Sequence, residues 1–228
     1  MTRRIRLTSA AAALLLSAVA CAPEAPDYQT IWSTTNTPAA ATADPEAEAD
    51  QERMSIAAWL ERAGVVGQQV APDKLTDITV SMPMPQGWQP YQNPNLSPGT
   101  RVIAQGSTYP MAMLMVFELD GDFNTTEALN HADVDAKASE NFRELNASRN
   151  DFRGFPSSMI EGSYDLNGAR MHSYNRIVIA TGAAPQRQRY LVQFTVTGFA
   201  DKAAEEAPDI EAIISGFTVE VPVGPPPP

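Results

Sequence analysis

One cysteine, two histidines and no long apolar run beyond its first twenty residues leave this chain of 228 residues with little of the usual equipment of catalysis or membrane passage. A lone cysteine excludes an intrachain disulfide, so stability has to come from core packing. Cysteine and histidine at these counts also exclude zinc-type ligand spacing. No GxSxG turn marks a nucleophilic serine, and no glycine-rich loop is present to cradle phosphate. Positive charge is scarce too. Sixteen Lys and Arg stand against 27 Asp and Glu, for a formal net charge of -11. So acidic a surface argues against nucleic acid and against electrostatic docking on anionic headgroups. Hydrophobic residues make up 43% of the chain, enough for one domain of ordinary size with a real core.

The cysteine sits where a leader ends. Arg3, Arg4 and Arg6 give a positive start, Leu7 to Ala20 carries no charge, and Ala18, Val19 and Ala20 run directly into Cys21. The apolar stretch is short for a permanent bilayer span and reads as a cleaved export signal over residues 1–20. A cysteine directly after such a signal resembles the bacterial lipobox, although Ala18 stands where that motif usually has leucine. In that motif the thiol takes a diacylglycerol and becomes the new amino terminus. Each buried methylene contributes about 0.8 kcal/mol, so two long chains anchor a protein where one would be marginal. The alternative is an ordinary signal peptide with an incidental cysteine.

Residues 21–53 are rich in Ala, Pro, Thr, Asp and Glu, as in Thr37-Pro38-Ala39-Ala40-Ala41-Thr42. Such a segment buries too little apolar area to offset its chain entropy and is expected to act as a disordered tether. The Pro-rich end, 221–228, is expected to fray. A single folded domain is expected over 54–220. Ile56, Trp59, Leu60 and Ala63 form one apolar stripe, which predicts a short helix capped by Ser55 and stopped at Gly64. Ile78, Val80 and Met82 alternate as on a half-buried strand, and Pro83 and Pro85 stop it. Arg101 to Gln105 predicts a second strand. Met111 to Leu119 is apolar on both faces, which predicts a central strand with something packed on each side. Asn124 suits a helix cap, with a helix running towards Glu140. Strands are expected at 142–152, 158–166, 169–180 and 189–199, with Asn167-Gly168 as the strongest hairpin signal. A last helix is expected from Pro208 to before Gly216. This order implies an α+β fold, an antiparallel sheet with helices on both faces.

Two segments carry a family resemblance: Ile56-Ala57-Ala58-Trp59-Leu60, and Val80-Ser81-Met82-Pro83-Met84-Pro85-Gln86-Gly87-Trp88, with Ile213-Ile214-Ser215-Gly216-Phe217 at the close. Together with the lipobox and tether they resemble the LpqN/LpqT lipoproteins of mycobacteria over about 54–220. The resemblance implies a PsbP-like α/β/α sandwich. It also implies an envelope protein, with some relatives connected to mycolate glycolipid transport and wall assembly. It brings no catalytic residues and no cofactor.

Residue chemistry outside Cys21 is thin. His131 falls on a predicted helix four residues before Asp135, and His172 on a strand beside Tyr174; both read as structural. Asp120 to Asn124 has oxygens at the spacing of a calcium loop, but Thr125 and His131 stand where that loop needs glycine and glutamate. The proline-rich loop from Met84 to Pro98 is long for a compact domain, and Met84, Trp88 and Tyr91 are its candidate ligand-binding residues. Met82, Met111, Met113 and Met115 could accommodate acyl chains but read first as core. The expected function is a lipid-anchored, non-enzymatic envelope module that binds an envelope glycolipid or a membrane transporter. The alternatives are a serine-type hydrolase of envelope esters using His131 or His172, and a purely protein-binding scaffold. Mass analysis of native protein is expected to find Cys21 acylated at the amino terminus; a free thiol there would remove the anchor.

Overall fold

A computed structural model describes residues 54–222. Cys21, the leader 1–20, the tether 21–53 and the tail from 223 onward lie outside the described residues. Helix α1 spans Ile56–Arg62, with the Ser55 hydroxyl accepting from the Ala58 N–H at 3.2 Å. Gly64, at φ +80°, ends it: Gly64 N–H bonds Glu61 O and Val65 N–H bonds Leu60 O, so the last carbonyls are satisfied and Val65 is drawn into the core. Of the predicted stripe Ile56 and Leu60 are buried, Trp59 is half-buried and Ala63 is exposed.

Ten strands follow the chain: β1 Val66–Val70, β2 Thr79–Ser81, β3 Gln89–Pro90, β4 Arg101–Ala104, β5 Met111–Asp120, β6 Arg143–Ser148, β7 Ser157–Leu166, β8 Ala169–Thr181, β9 Arg189–Phe199 and β10 Thr218–Glu220. Helices α2 (Thr125–Asn130) and α3 (Val134–Lys137) sit between β5 and β6, and α4 (Ala203–Gly216) follows β9. Eight strands form one antiparallel sheet in the order β3-β4-β5-β9-β8-β7-β6. The eighth, β1, pairs with β5 over 116–120 while β4 pairs with it over 111–114, so the two share one edge of β5 end to end. Asn167 and Gly168, at φ +49° and +78°, make the two-residue turn between β7 and β8. Strands β2 and β10 form a separate two-stranded sheet.

Strand β5 is apolar on both sides because each side has its own core. On the first face Ala112, Leu114 and Val116 join Val192, Phe194 and Val196 of β9 under α4 (Ile210, Ile213) and the β2–β10 pair (Val80, Val219). Phe194 stacks on Phe217 at 4.3 Å and Phe217 on Phe152 at 5.2 Å, with the Arg176 guanidinium 4.6 Å over Phe152. On the second face Met115, Phe117 and Leu119 lie under α1 and α2 (Ile56, Leu60, Ala128, Leu129). The result is an α+β fold with helices on both faces of an antiparallel sheet.

Four local expectations change. The single helix towards Glu140 is two short ones. Beyond Leu129 only Ala132 packs on the second-face core, and the Asp133 carboxylate is drawn to Lys137 (2.8 Å) and Arg149 (3.3 Å). The last helix starts at Ala203, so Pro208 lies inside it; Pro208 is exposed, and Ile210 and Ile213 hold the helix across the lost backbone bond. Strand β1 has a polar middle, Gln68-Gln69, and an exposed Val66, which hides it from an apolar count. The strand expected at 142–152 is shorter, 143–148, and almost wholly exposed. The segment 120–124 closes as a strand end and helix cap: Asn124 Oδ1 accepts from Thr126 and Glu127 N–H groups, and Arg189 bonds the Gly121 and Phe123 carbonyls.

Phe194 is fully buried at the centre of the first-face stack. Phe194→Ala is therefore expected to cost about 3–5 kcal/mol in urea unfolding; a loss under about 1 kcal/mol would mean the stack does not anchor the fold.

Candidate functional site

The Pro83 to Trp88 loop is a clasp. Its Pro83 ring lies so close to Gly216 that a Cβ there would sit 2.7 Å from Pro83 Cγ. At the other end Trp88 is buried in the first-face core and its indole N–H donates to Asp209 Oδ2 at 3.0 Å. Trp88 thus joins the loop to α4, with its ring packed in the core rather than beside Met84 or the Tyr91 cleft. Met84, held between the two anchors, is 47% exposed and packs in no core. Tyr91 does line a cleft, of about 480 Å³, between residues 90–102 and the turn at Ala71–Asp73. Its N–H bonds Val102 O, and Gln69 Nε2 donates to Thr100 Oγ1 at 2.8 Å across the neighbouring wall. The three candidates are therefore not brought together.

A second feature lies on the second face of the sheet, bordering the α1–α2 core, against which Met113 packs. Register places the side chains there in rows across β5, β9, β8 and β7. Met113, Thr195, Asn175 and Ile160 make one row; Met111, Thr197, Ser173 and Gly162 make the next; Phe199, Met171 and Tyr164 make the last. Gln193 stands at the border with the apolar core, between Met115 and Ile177. Thr195 Oγ1 donates to Asn175 Oδ1 at 3.0 Å, and Asn175 Nδ2 donates to Ser173 Oγ at 3.2 Å. Gln193 Oε1 is buried without a hydrogen-bond partner. None of the side chains in these rows carries a charge.

Aromatic rings border this patch. Tyr109 meets Phe199 edge-on with centroids 5.6 Å apart, and its hydroxyl is buried without a partner. Burial pushes the Tyr109 phenol up, and the nearby Tyr164 and Tyr91 push it further, so three tyrosines converge at this end. Phe142 covers Gly162, where an added Cβ would run into its ring. The methionines divide: Met82 and Met115 are core, while Met111 and Met113 are half-buried at the patch. Sequence reading missed the polar rows because Gln193, Thr195 and Thr197 look like the solvent side of an ordinary strand. The available signal was the repeat of small polar residues on two neighbouring strands, Ser173-x-Asn175 beside Thr195-x-Thr197.

Both histidines are engaged. His131 Nδ1 lies 3.0 Å from Met54 O and its ring stacks on Trp59 at 5.8 Å. His172 Nε2 lies 3.0 Å from Glu161 Oε1. Ser163 stands opposite His172, but its hydroxyl accepts from Arg170 at 2.7 Å, and no serine hydroxyl bonds either histidine among the described residues. No group of three metal-type ligands occurs among the described residues, and none of their helices is long and apolar enough to cross a membrane.

Comparison with known proteins agrees across sequence and structure. The family model described as "Probable lipoprotein LpqN" matches residues 52–220. The lipoprotein LpqT of Mycobacterium tuberculosis H37Rv is 52% identical over 217 residues, covering 95% of this chain and 94% of that protein. The proline-rich 28 kDa antigen of the same strain is 35% identical over 164 residues, 70% of this chain and 52% of that protein. The crystal structure of LpqN, described as involved in cell envelope biogenesis of M. tuberculosis, superposes with a TM-score of 0.61 over 74% of this chain and 98% of that one. At 18% identity that match speaks for the fold alone.

The clasp gives a direct contrast. Trp88→Phe removes the donor to Asp209 and is expected to cost about 1–2 kcal/mol, whereas Met84→Ala is expected to stay within about 0.5 kcal/mol. Urea unfolding of the two variants measures both, and equal effects would contradict the separate roles.

Proposed function

The chain belongs to the LpqN family of lipoproteins, and on that premise we propose that it is a lipid-anchored, non-enzymatic binding module of the cell envelope whose second-face patch takes an uncharged, hydroxyl-rich amphiphile. The observation that carries this reading is a pair of unpartnered polar groups at the two ends of the patch, Gln193 Oε1 near the Asn175–Thr195 bond and the Tyr109 hydroxyl at the Phe199 end. A buried polar group left unpaired costs about 1–3 kcal/mol, and native interiors rarely keep one without use. A hydroxyl-rich headgroup would supply donors to Gln193 and an acceptor to Tyr109. The rows hold no cation to neutralise a phosphate and no acid to pair with an ammonium. Tyr109, Tyr164, Phe199 and Phe142 offer ring faces and edges for a sugar, and half-buried Met111 and Met113 offer adaptable apolar contact for acyl chains.

Glycolipids of a mycolate-bearing envelope fit this chemistry, and the part of LpqN in cell envelope biogenesis points the same way. In this reading Cys21 carries the acyl anchor, and the tether sets the reach of the patch above the membrane. Tethering of this kind raises the local concentration of a domain near a membrane transporter without any new contact. The hydrolase alternative finds no support in the surroundings of His131 and His172, where the ring nitrogens meet a backbone carbonyl and a glutamate.

Gln193→Leu separates binding from folding. Every described element lies within 54–222, so a chain lacking residues 1–21 keeps them all. In that chain the variant is expected to hold or gain stability, since an unpaired acceptor is replaced by an apolar group. Its affinity for dodecyl maltoside below the micellar concentration is expected to fall about tenfold. Unchanged maltoside affinity in calorimetry, or tighter binding of lauroyl lysophosphatidylglycerol than of maltoside, would sink the reading.

A further inference from the structure

The end of β9 joins the second-face patch to a buried carboxylate on the first face. Gly198 and Phe199 are consecutive strand residues and point to opposite sides. Phe199 meets Tyr109 at the patch. On the other side Gly198 leaves a gap filled by Glu206 of α4. A Cβ on Gly198 would sit 2.8 Å from Glu206 Oε2, 3.6 Å from Ile210 Cδ1 and 3.7 Å from Pro110 Cβ. Pro110 directly follows Tyr109. The same two backbone stretches, 109–110 and 198–199, therefore carry the aromatic border on one face and seat the carboxyl on the other. Glu206 Oε2 is buried there without a hydrogen-bond partner, in a slot of glycine, proline and isoleucine.

We propose that Glu206 is a proton-controlled latch on the ligand patch: neutral, it seats the first turn of α4 on Gly198 and Pro110 and fixes the Tyr109–Phe199 border; ionised, it lifts that turn and loosens the border. The proposal rests on the binding role given to the patch above. The charges around Glu206 offer the anion little relief. Asp201 and Glu205 lie on its own segment, and Lys202, the one nearby cation on that segment, is held by Glu205 at 3.3 Å. Across the sheet His172 stands opposite Gly198 and is paired with Glu161 at 3.0 Å. Burial first, then the charge of Glu205, raise the Glu206 carboxyl above the ordinary glutamate range; Lys202 opposes this and Asp201 adds to it. An acid raised in the folded state keeps a proton that the unfolded chain has already lost. The latch is thus fully engaged below the ordinary glutamate value and released as pH climbs past the raised one.

Hydrogen exchange of the chain lacking residues 1–21, corrected for intrinsic rates, is the test. Protection over 198–207 is expected to fall several-fold between about pH 5 and pH 8, and dodecyl maltoside affinity to weaken over the same range. Glu206→Gln is expected to flatten both profiles at the engaged level. Gly198→Ala, whose added Cβ crowds Oε2, is expected to show low protection at every pH. Protection that does not change with pH, or changes equally in Glu206→Gln, would overturn the latch. Protection that changes as expected while maltoside binds at no pH would instead overturn the binding role of the patch and leave the seating of α4 standing.

Discussion

Strand β9 stays in antiparallel register with β5 for nine residue pairs and with β8 for eleven, and that alignment decides what each face of the sheet can be. Val192, Phe194 and Val196 enter the first-face core, while Gln193, Thr195 and Thr197 line up beside Asn175 and Ser173 on the second. A slip of one residue would exchange the two sets. The amide and hydroxyls would then enter an aliphatic and aromatic core without partners, and Phe194 would lose its stack on Phe217. Both terms oppose the slip, so the polar patch is itself part of what specifies the register.

Much of this was legible in the residues. The two-sided β5 followed from the apolar residues that fill Met111 to Leu119 on both faces, with Glu118 the one exception, a pattern that a strand covered on both sides tolerates. Ser55, Asn124 and the Asn167-Gly168 turn were readable because their chemistry is local: each side chain or φ angle satisfies a group within a few residues. Trp88 was not readable, because its partner Asp209 is 121 residues away and a tryptophan after a glycine turn looks the same whether it folds inward or outward. The extent of α4 was missed for a related reason. Pro208 signals a helix start, and the turn before it carries Glu206, whose seat at Gly198 lies on another element. The polar rows were the hardest to read, since each strand alone shows ordinary alternation and the rows arise only from register.

The two faces divide the work of the molecule. The first face holds the aromatic stack, the Pro83–Trp88 clasp and the β2–β10 pair, and it is closed: Phe194, Ile213, Phe217 and Val219 are almost wholly buried. On the second face α1 and α2 cover one half, and in the remainder Ile160, Met171, Ser173 and Thr197 are buried while Asn175 and Thr195 are half-buried. That remainder keeps polar groups whose pairing is incomplete, which is a cost in stability that the first face is well placed to offset. Changes on the first face should therefore be read in unfolding, and changes at Gln193, Asn175 or Thr195 chiefly in binding.

The division cannot be complete, because both faces share the same backbone. A strand places adjacent residues on opposite sides, so whatever moves Gly198 on the first face also moves Phe199 on the second. Most of β9 is held more firmly, since Val192, Phe194 and Val196 are buried in the first-face core and the strand is paired with β5 and β8 on both edges. Its last residues are not. There the first face is covered by a carboxyl rather than a hydrocarbon, and the second by a ring contact rather than a helix. The carboxyl-filled gap on one face thus lies directly behind the border of the patch on the other, and coupling between the seating of α4 and binding is expected at that end of the strand.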